Sequence, residues 1–570
     1  MGRESDDIDI ALDDHMGHPF ATKVHEYLTA TNHANTNDSF QKNNAIEKNQ
    51  DISELYSSVG MIKSNPEQSK HLETATMRLC GQWIDFVNLR TESYANGNDN
   101  DDASIGSRIP SSAFFGSPSE DSYRRDLTIN SLFYNIHNGC VEDYTGMGLA
   151  DLRDGIIRTP MEIFHLQNDS IGNKNYHGSD DNDAFSLSVK GAKQTFLDDP
   201  LRVLRSVRFA ARFQFELSGA LEAAMQDEAV AKALDMKVSR ERIGSELDGM
   251  IKGPHPGRAI RLLERNNVLP VMFGIDRFAE VSAKITNGGS HIDYHEITSR
   301  GESAVRWLAF LNNSFHKSHA SSSPSFKVTD ECRRAAYLSA LLLGTREYSY
   351  KGGAKSHNNK VLPLSQGIIL DSFKLSKRDA ETIVAVHESL PDMLKLLCKV
   401  TNKSLPQLYS DPYDSICKED DNGFNEMDIS LSQGFARRRV GMLIRKLKAN
   451  WIVSLLVCPL LSISDDQASF DSEDPVDRYS IDKEKAIEAW SVAILEFYLA
   501  VESSGIADAW QIKPLLSGKE LMSSFGMTKG GPILGKATTR LMEWQLENPR
   551  AARDECERWL RTSLREELNI

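Results

Sequence analysis

From Asp198 to the C-terminus the apolar residues recur with helical spacing, and little of that stretch alternates as a strand would. The pattern predicts helices at 198–213, 218–235, 239–252, 256–267, 333–344, 378–399, 434–458, 485–502 and 536–566. Such segments bury their apolar stripes only by packing helix on helix. Upstream the period changes to two: Asp9 to Leu12 and Trp83 to Leu89 are expected to be short strands. The layout is α+β, a mixed α/β front followed by a long all-α rear. A chain of 570 residues suits about three or four domains.

Polar tracts interrupt this pattern. Thr29 to Asp51, Ala95 to Ser107 and Gln167 to Ser188 are rich in Asn, Ser314 to Ser325 in Ser and His, and Ser462 to Asp474 in Ser and Asp. Tracts of this kind bury too little apolar surface to offset chain entropy, so loop insertions are expected there.

Several classes are disfavoured. The longest apolar run, Trp451 to Ile463, is too short to cross a bilayer and suits a buried helix. The opening MGRESDDIDI has no apolar stretch of the kind a secretory signal needs. Seven scattered cysteines form no CxxC pair, which argues against a zinc site or a disulfide framework and for a reducing, intracellular compartment. The formal charge of −15 argues against a nucleic-acid partner when taken alone. Local basic stretches can nonetheless make an RNA surface.

The first candidate site is Asp7-Ile8-Asp9. On a strand, Ile8 and Ile10 share one face and both aspartates the other. Paired carboxylates suit Mg²⁺, which prefers hard oxygen ligands together with substrate phosphates. The same D-x-D spacing recurs at Asp99/Asp101 and Asp181/Asp183 in Asn-rich stretches, where a solvated loop is the plainer explanation. Asp85, inside the apolar IDFVNLR strand, is a third carboxylate that either binds metal or sits on a wet edge.

The second group is RRDLTINSLFY. Asp126 and Asn130 are i,i+4 neighbours on a helix and could grip a ribose and a phosphate beside Arg125. The alternative is a helix start with a solvated polar face. The third is DDPLRVLRSVRFAARF, where Arg202, Arg205, Arg208 and Arg212 fall within about a third of the helix circumference. A stripe of four arginines without an acid is expected to bind anions. In SRERIGSE, Ser239 is expected to cap a helix whose charges pair with that stripe. A basic patch, Arg437-Arg438-Arg439 with Arg445, Lys446 and Lys448, is either a solvated helix face or an RNA-backbone contact.

Taken in order, these segments resemble a class II CCA-adding tRNA nucleotidyltransferase of the eukaryotic type. DIDIAL resembles the end of the family's metal motif, and HLETATMRLCGQWIDFVNLR the strand pair that follows. RRDLTINSLFYNI with VEDYTGMGLADLRDGIIRTP resembles the ribose-selecting motif and its turn. KQTFLDDPLRVLRSVRFAARFQF resembles the base-selecting motif, and SRERIGSEL its supporting helix. LLSGKELMSSFGMTKGGPILGK resembles the tail motif.

The resemblance implies a small mixed-sheet nucleotidyltransferase head (1–160), an inserted loop (161–194), then an elongated all-α neck (195–275), body (276–480) and tRNA-binding tail (481–570). It implies catalytic metal ligands at Asp7, Asp9 and Asp85 for two Mg²⁺ ions. It implies a ribose sensor at Asp126 with Arg125 and Asn130, a base-reading pair at Asp199 and Arg202, a triphosphate contact at Arg205, and support from Glu241, Arg242 and Glu246. Substrates would be CTP, ATP and a tRNA lacking its 3′ CCA, with no membrane partner. The family implies cytoplasm, mitochondrion or nucleus, and the sequence leaves the oligomeric state open.

The assignment of Asp199 and Arg202 makes chemical sense. A carboxylate accepts and a guanidinium donates. Cytosine and adenine each offer an amino donor beside a ring-nitrogen acceptor, whereas guanine and uracil reverse that order. The pair therefore suits C and A without a nucleic-acid template.

One departure stands out. In the family the metal motif begins upstream, with a strand, a Gly-Gly or Gly-Ser turn and a V-R-D helix that hold the triphosphate. Here Met1 falls just before DIDIAL. The expectation is a truncated head whose sheet lacks a strand and has an open edge. Two alternatives follow: a poly(A)-adding enzyme of the same fold, and a tRNA-binding pseudoenzyme.

Overall fold

The computed structural model of the chain describes residues 7–13, 15–37, 59–62, 74–93, 112–164, 181–278, 281–283, 294–318, 328–352, 360–401, 431, 434–462 and 479–568. The chain divides into two units, 1–238 and 239–570. The expected neck, 195–275, straddles that division.

The first unit opens with a four-stranded sheet: β1 (Asp7–Leu12), β2 (Gly60–Ile62), β3 (Thr74–Leu79) and β4 (Gln82–Asn88). Its order is β1-β4-β3-β2, so β1 and β2 are the outer strands. β1 runs parallel to β4, and β3 antiparallel to it. The β3–β4 turn uses Cys80 at φ 49° and Gly81 at φ 82°. Two successive left-handed residues match the twist of a tight hairpin, and the second falls to glycine, which bears no Cβ strain.

Alternation sorts the two faces of this sheet. Leu12, Ala75, Met77 and Phe86 are buried beneath helix α1 (Gly17–Asn37), together with Ala21. Phe20 and Phe86 pack with ring centroids 5.4 Å apart. Helix and sheet approach so closely at Gly17 that a Cβ there would lie 2.6 Å from the Phe86 carbonyl oxygen. The other face carries Asp9 of β1 and Asp85 of β4.

After the sheet come helices α2 (Pro118–Arg124), α3 (Gly148–Asp154), α4 (Asp181–Asp198) and α5 (Leu201–Phe213). Ser117 and Glu120 form a capping box at the start of α2, with Pro118 in its first turn. Pro200 separates α4 from α5, since the residue before a proline is steered away from helical backbone.

The second unit is mostly helical. Its long members are Tyr294–Ser318, Lys377–Thr401 and Tyr479–Ser503. Near the C-terminus Leu521, Phe525, Leu541, Cys556, Leu560 and Leu564 close a separate apolar cluster.

Four expectations need correction. The stretch 161–194, read as an inserted loop, is helical at both described ends, 161–164 and 181–194. Phe196 and Ala192 bury the apolar side of α4, a signal the Asn-rich start of the segment obscured. Helix α1 continues from Thr29 to Asn37, and the 294–318 helix runs into the Ser/His-rich tract. Finally, the rear holds a small sheet of Ser282–Ala283, Tyr348–Lys351 and Val361–Pro363, strands too short to register as alternation.

Candidate active site

Asp9 and Asp85 are register partners on the parallel strands β1 and β4. Their side chains therefore leave the same face of the sheet, about 4.8 Å apart in the pairing direction. Asp9 is exposed and Asp85 half-buried. Asp7 is part of β1, but its side chain lies outside the described residues. Two hard carboxylates on adjacent strands, open to a substrate phosphate, fit the donor set that Mg²⁺ takes. Thr76 stands opposite Asp85 on β3 and extends the same row.

The sheet is tied to the next group through the backbone. Leu89 N donates to Leu12 O at 3.2 Å, and Gly116 N donates to Leu89 O at 3.1 Å. Gly116 immediately precedes the cap of α2. At the end of α2 the chain turns through Asp126 and Leu127 into a single 3₁₀ turn, Thr128–Asn130. Asp126 and Asn130 thus do not sit on an α-helix face, as their spacing suggested. The turn brings them together anyway: Asn130 Nδ2 donates to Asp126 Oδ1 at 3.1 Å. Thr128 anchors the turn from below, donating to the buried carboxylate of Asp151 at 2.7 Å.

Helix α5 meets this corner from 79 residues further along the chain. Arg205 Nε donates to Asp126 Oδ2 at 2.7 Å. Arg202 Nη2 donates to the Arg124 carbonyl oxygen at 2.6 Å. That carbonyl belongs to the last turn of α2, where no intrahelical N–H remains to take it. Burial of Asp126 opposes its ionisation, but the Arg205 guanidinium, the Asn130 amide and the Arg202 charge outweigh it. Its carboxyl is held below the usual range. Asp199 precedes α5 and accepts from Leu201 N at 3.2 Å, capping its first turn. The arginine stripe divides here: Arg202 and Arg205 reach the Asp126 corner, Arg205 also lying 5.5 Å from the Phe209 ring centroid, whereas Arg208 and Arg212 lie over the Phe209 and Phe213 rings at 5.3 and 5.5 Å.

Arg125 completes the corner. Its Nη1 donates to Asn130 O at 3.1 Å, and its guanidinium lies 5.1 Å from the Phe133 ring centroid. Sequence reasoning missed Asp121, which is buried and accepts from Arg124 and Arg125. The i,i+3 and i,i+4 spacing of acid and base was the legible signal. The structure thus gathers Arg125, Asp126, Asn130, Arg202 and Arg205, and separately aligns Asp9 with Asp85.

Glu241, Arg242 and Glu246 belong to the second unit, on the helix Arg240–Lys252. Ser239 caps that helix by accepting from Arg242 N. Glu241 and Arg242 are exposed and Glu246 is buried. Gly244 lets the helix lie against the 373 backbone, where a Cβ would meet Phe373 O at 1.7 Å.

The basic patch is largely consumed by the fold. Arg437 is buried and donates to Leu431 O and Ser504 O, and Arg445 donates to Ala509 O and Ile512 O. Arg438 pairs with Glu547 at 2.7 Å and Lys446 with Glu388 at 3.6 Å.

A family model described as the poly A polymerase head domain matches residues 1–158. The mitochondrial CCA tRNA nucleotidyltransferase of Saccharomyces cerevisiae is 30 % identical over 559 residues, covering 96 % of this chain and 83 % of the yeast protein. This chain belongs to the CCA tRNA nucleotidyltransferase family. The mitochondrial CCA tRNA nucleotidyltransferase of Candida glabrata is 29 % identical over 576 residues, 99 % of this chain and 88 % of that protein. Poly(A) polymerase I of Escherichia coli is 38 % identical, but over only 104 residues, 18 % of this chain and 16 % of the bacterial protein. As a member of the CCA family the protein is a nucleotidyltransferase, and the mixed-sheet front with a helical rear agrees with the fold class expected from its sequence.

Proposed function

We propose that this chain rebuilds the 3′ CCA end of tRNA from CTP and ATP, without a nucleic-acid template. The observation that carries this reading is the likeness to CCA tRNA nucleotidyltransferases along nearly the whole chain. The poly(A)-adding alternative has the head-domain match in its favour, yet its relative covers under a fifth of the chain.

Asp7, Asp9 and Asp85 would hold two Mg²⁺ ions. Bound there, the metal would promote in-line attack of the tRNA 3′-hydroxyl on the α-phosphorus and offset charge on the departing pyrophosphate. Asp126, kept ionised and braced by Asn130 and Arg205, accepts a hydrogen bond from the ribose 2′-hydroxyl, with Arg125 beside it. Arg205 also faces the triphosphate. Asp199 accepts from the amino group of cytosine or adenine, and Arg202 donates to the neighbouring ring nitrogen. Guanine and uracil set carbonyl against carboxylate and N–H against guanidinium, costing about 1–3 kcal/mol per opposed group. Glu241, Arg242 and Glu246 support that pair.

The relatives from Saccharomyces cerevisiae and Candida glabrata are named as mitochondrial, which supports an intracellular reading. Among the described residues no helix is long and apolar enough to cross a membrane. The test is product analysis on a tRNA lacking its CCA, with CTP and ATP together. Sequential C, C and A incorporation supports the reading. Runs of A alone favour the poly(A) alternative, and tRNA binding without incorporation favours a pseudoenzyme.

A further inference from the structure

We propose that Asp121 is a shared positioning residue that sets both the base-reading and the ribose-reading arms of the site. The inference rests on the assignment of Arg202 and Asp126 to those two tasks.

Asp121 lies in α2 and is only 1 % exposed. A carboxylate so buried is tolerated only when paired. Its two oxygens are divided between neighbouring arginines. Oδ1 accepts from Arg124 Nε at 2.8 Å, and Oδ2 accepts from Arg125 Nε at 2.9 Å. Both arginines fall at the C-terminal end of α2, the part of a helix most prone to fray. One buried carboxylate therefore fixes the final turn from inside.

Two chains of contacts leave that turn. Through Arg124, the carbonyl oxygen takes the Arg202 guanidinium at 2.6 Å. Arg202 thus finds its acceptor only while the end of α2 stays wound. Through Arg125, Nη1 donates to Asn130 O at 3.1 Å, and the Asn130 amide donates to Asp126 at 3.1 Å. The first chain ends on the base reader and the second on the ribose sensor. Asp121 touches neither substrate surface; its effect passes through the two arginines.

The test uses the full chain carrying Asp121→Asn, which keeps the side-chain volume but removes the charge and one acceptor oxygen. The readouts are kcat/KM for CTP, UTP and dCTP on a tRNA lacking its CCA, with Mn²⁺ affinity measured by electron paramagnetic resonance. The expected result is that the CTP:UTP and CTP:dCTP ratios fall together, by about tenfold each, while Mn²⁺ affinity is unchanged. Unchanged ratios with a uniform loss of kcat would make Asp121 merely structural. A fall in one ratio alone would overturn the shared role. Asp121→Glu keeps the charge and displaces the carboxylate by one methylene; if the Asn variant fails to fold, the same two ratios in the Glu variant decide. Arg202→Ala and Asp126→Ala run alongside. If these shift the ratios and Asp121→Asn does not, only this inference falls. If they leave the ratios unchanged, the site assignment falls, and the role of Asp121 with it.

Discussion

Asp126 and Arg205 are 79 residues apart in the chain, yet the Arg205 guanidinium donates to a single carboxylate oxygen of Asp126 at 2.7 Å. The pair joins the turn after α2 to helix α5 and keeps Asp126 charged despite its burial. Because its pKa is depressed, the carboxylate keeps its charge from neutrality down to below the usual carboxylate range. The preference for CTP over dCTP should accordingly be flat between pH 6 and 9. A preference that collapses at pH 6 would contradict this. Asp126→Ala should lower the CTP:dCTP ratio of kcat/KM by roughly 5- to 150-fold, the equivalent of about 1–3 kcal/mol for one lost polar partner.

The register of Asp9 with Asp85 makes a second prediction. Asp9→Ala and Asp85→Ala should each cut nucleotide incorporation by about a hundredfold or more, since metal-borne charge stabilisation is worth several kcal/mol. Asp7→Ala should behave alike. Affinity for tRNA, followed by filter binding, should stay within about twofold of wild type.

Glu162 gives a pH-dependent stability. Its side chain is buried and accepts from Thr159 N at 2.9 Å and Ser218 Oγ at 2.8 Å. Burial pushes its carboxyl up to about 7 against those hydrogen bonds, from an ordinary value of 4.5. Between these values the folded state holds a proton that the unfolded chain releases. The contribution is therefore full below pH 4.5 and fades as the pH rises through 7. It amounts to something on the order of 3 kcal/mol. Thermal midpoints at pH 5 and 8 should show wild type losing more stability than Glu162→Gln. Equal losses would refute the assignment.

Arg437 separates scaffold from RNA surface. Its guanidinium is committed to the Leu431 and Ser504 carbonyls. Arg437→Ala should lower stability by about 1–3 kcal/mol in denaturant melts by stranding those groups. The salt dependence of tRNA binding should keep its slope. A slope reduced by about one, with stability unchanged, would restore an RNA contact there.

How much of this was legible beforehand follows from the range of each signal. Alternation over six residues placed Asp9 and its neighbours on a strand, and helical spacing placed the arginine stripe. Neither could show that the stripe splits, because Arg202 and Arg205 find partners at Arg124 and Asp126, about 80 residues away. The i,i+4 spacing of Asp126 and Asn130 led to the right proximity through the wrong element, since a 3₁₀ turn after an extended residue also closes that gap. The basic patch could be read either as a solvated helix face or as an RNA contact because the acceptors of Arg437 and Arg445 are backbone carbonyls, which no side-chain pattern reveals. The start of α4 was hidden by its Asn- and Asp-rich first turn, whereas the helix is held by apolar residues further on.

The base-reading claim is tested most directly by competition. A tRNA ending before its CCA is supplied with CTP, ATP, GTP and UTP, and the added nucleotides are sequenced for wild type, Asp199→Ala and Arg202→Ala. Wild type should add C, C and A, and both variants should admit U or G while retaining Mn²⁺ binding. Variants that lose rate yet still add only C and A would contradict the account, because selection would then lie elsewhere than in Asp199 and Arg202.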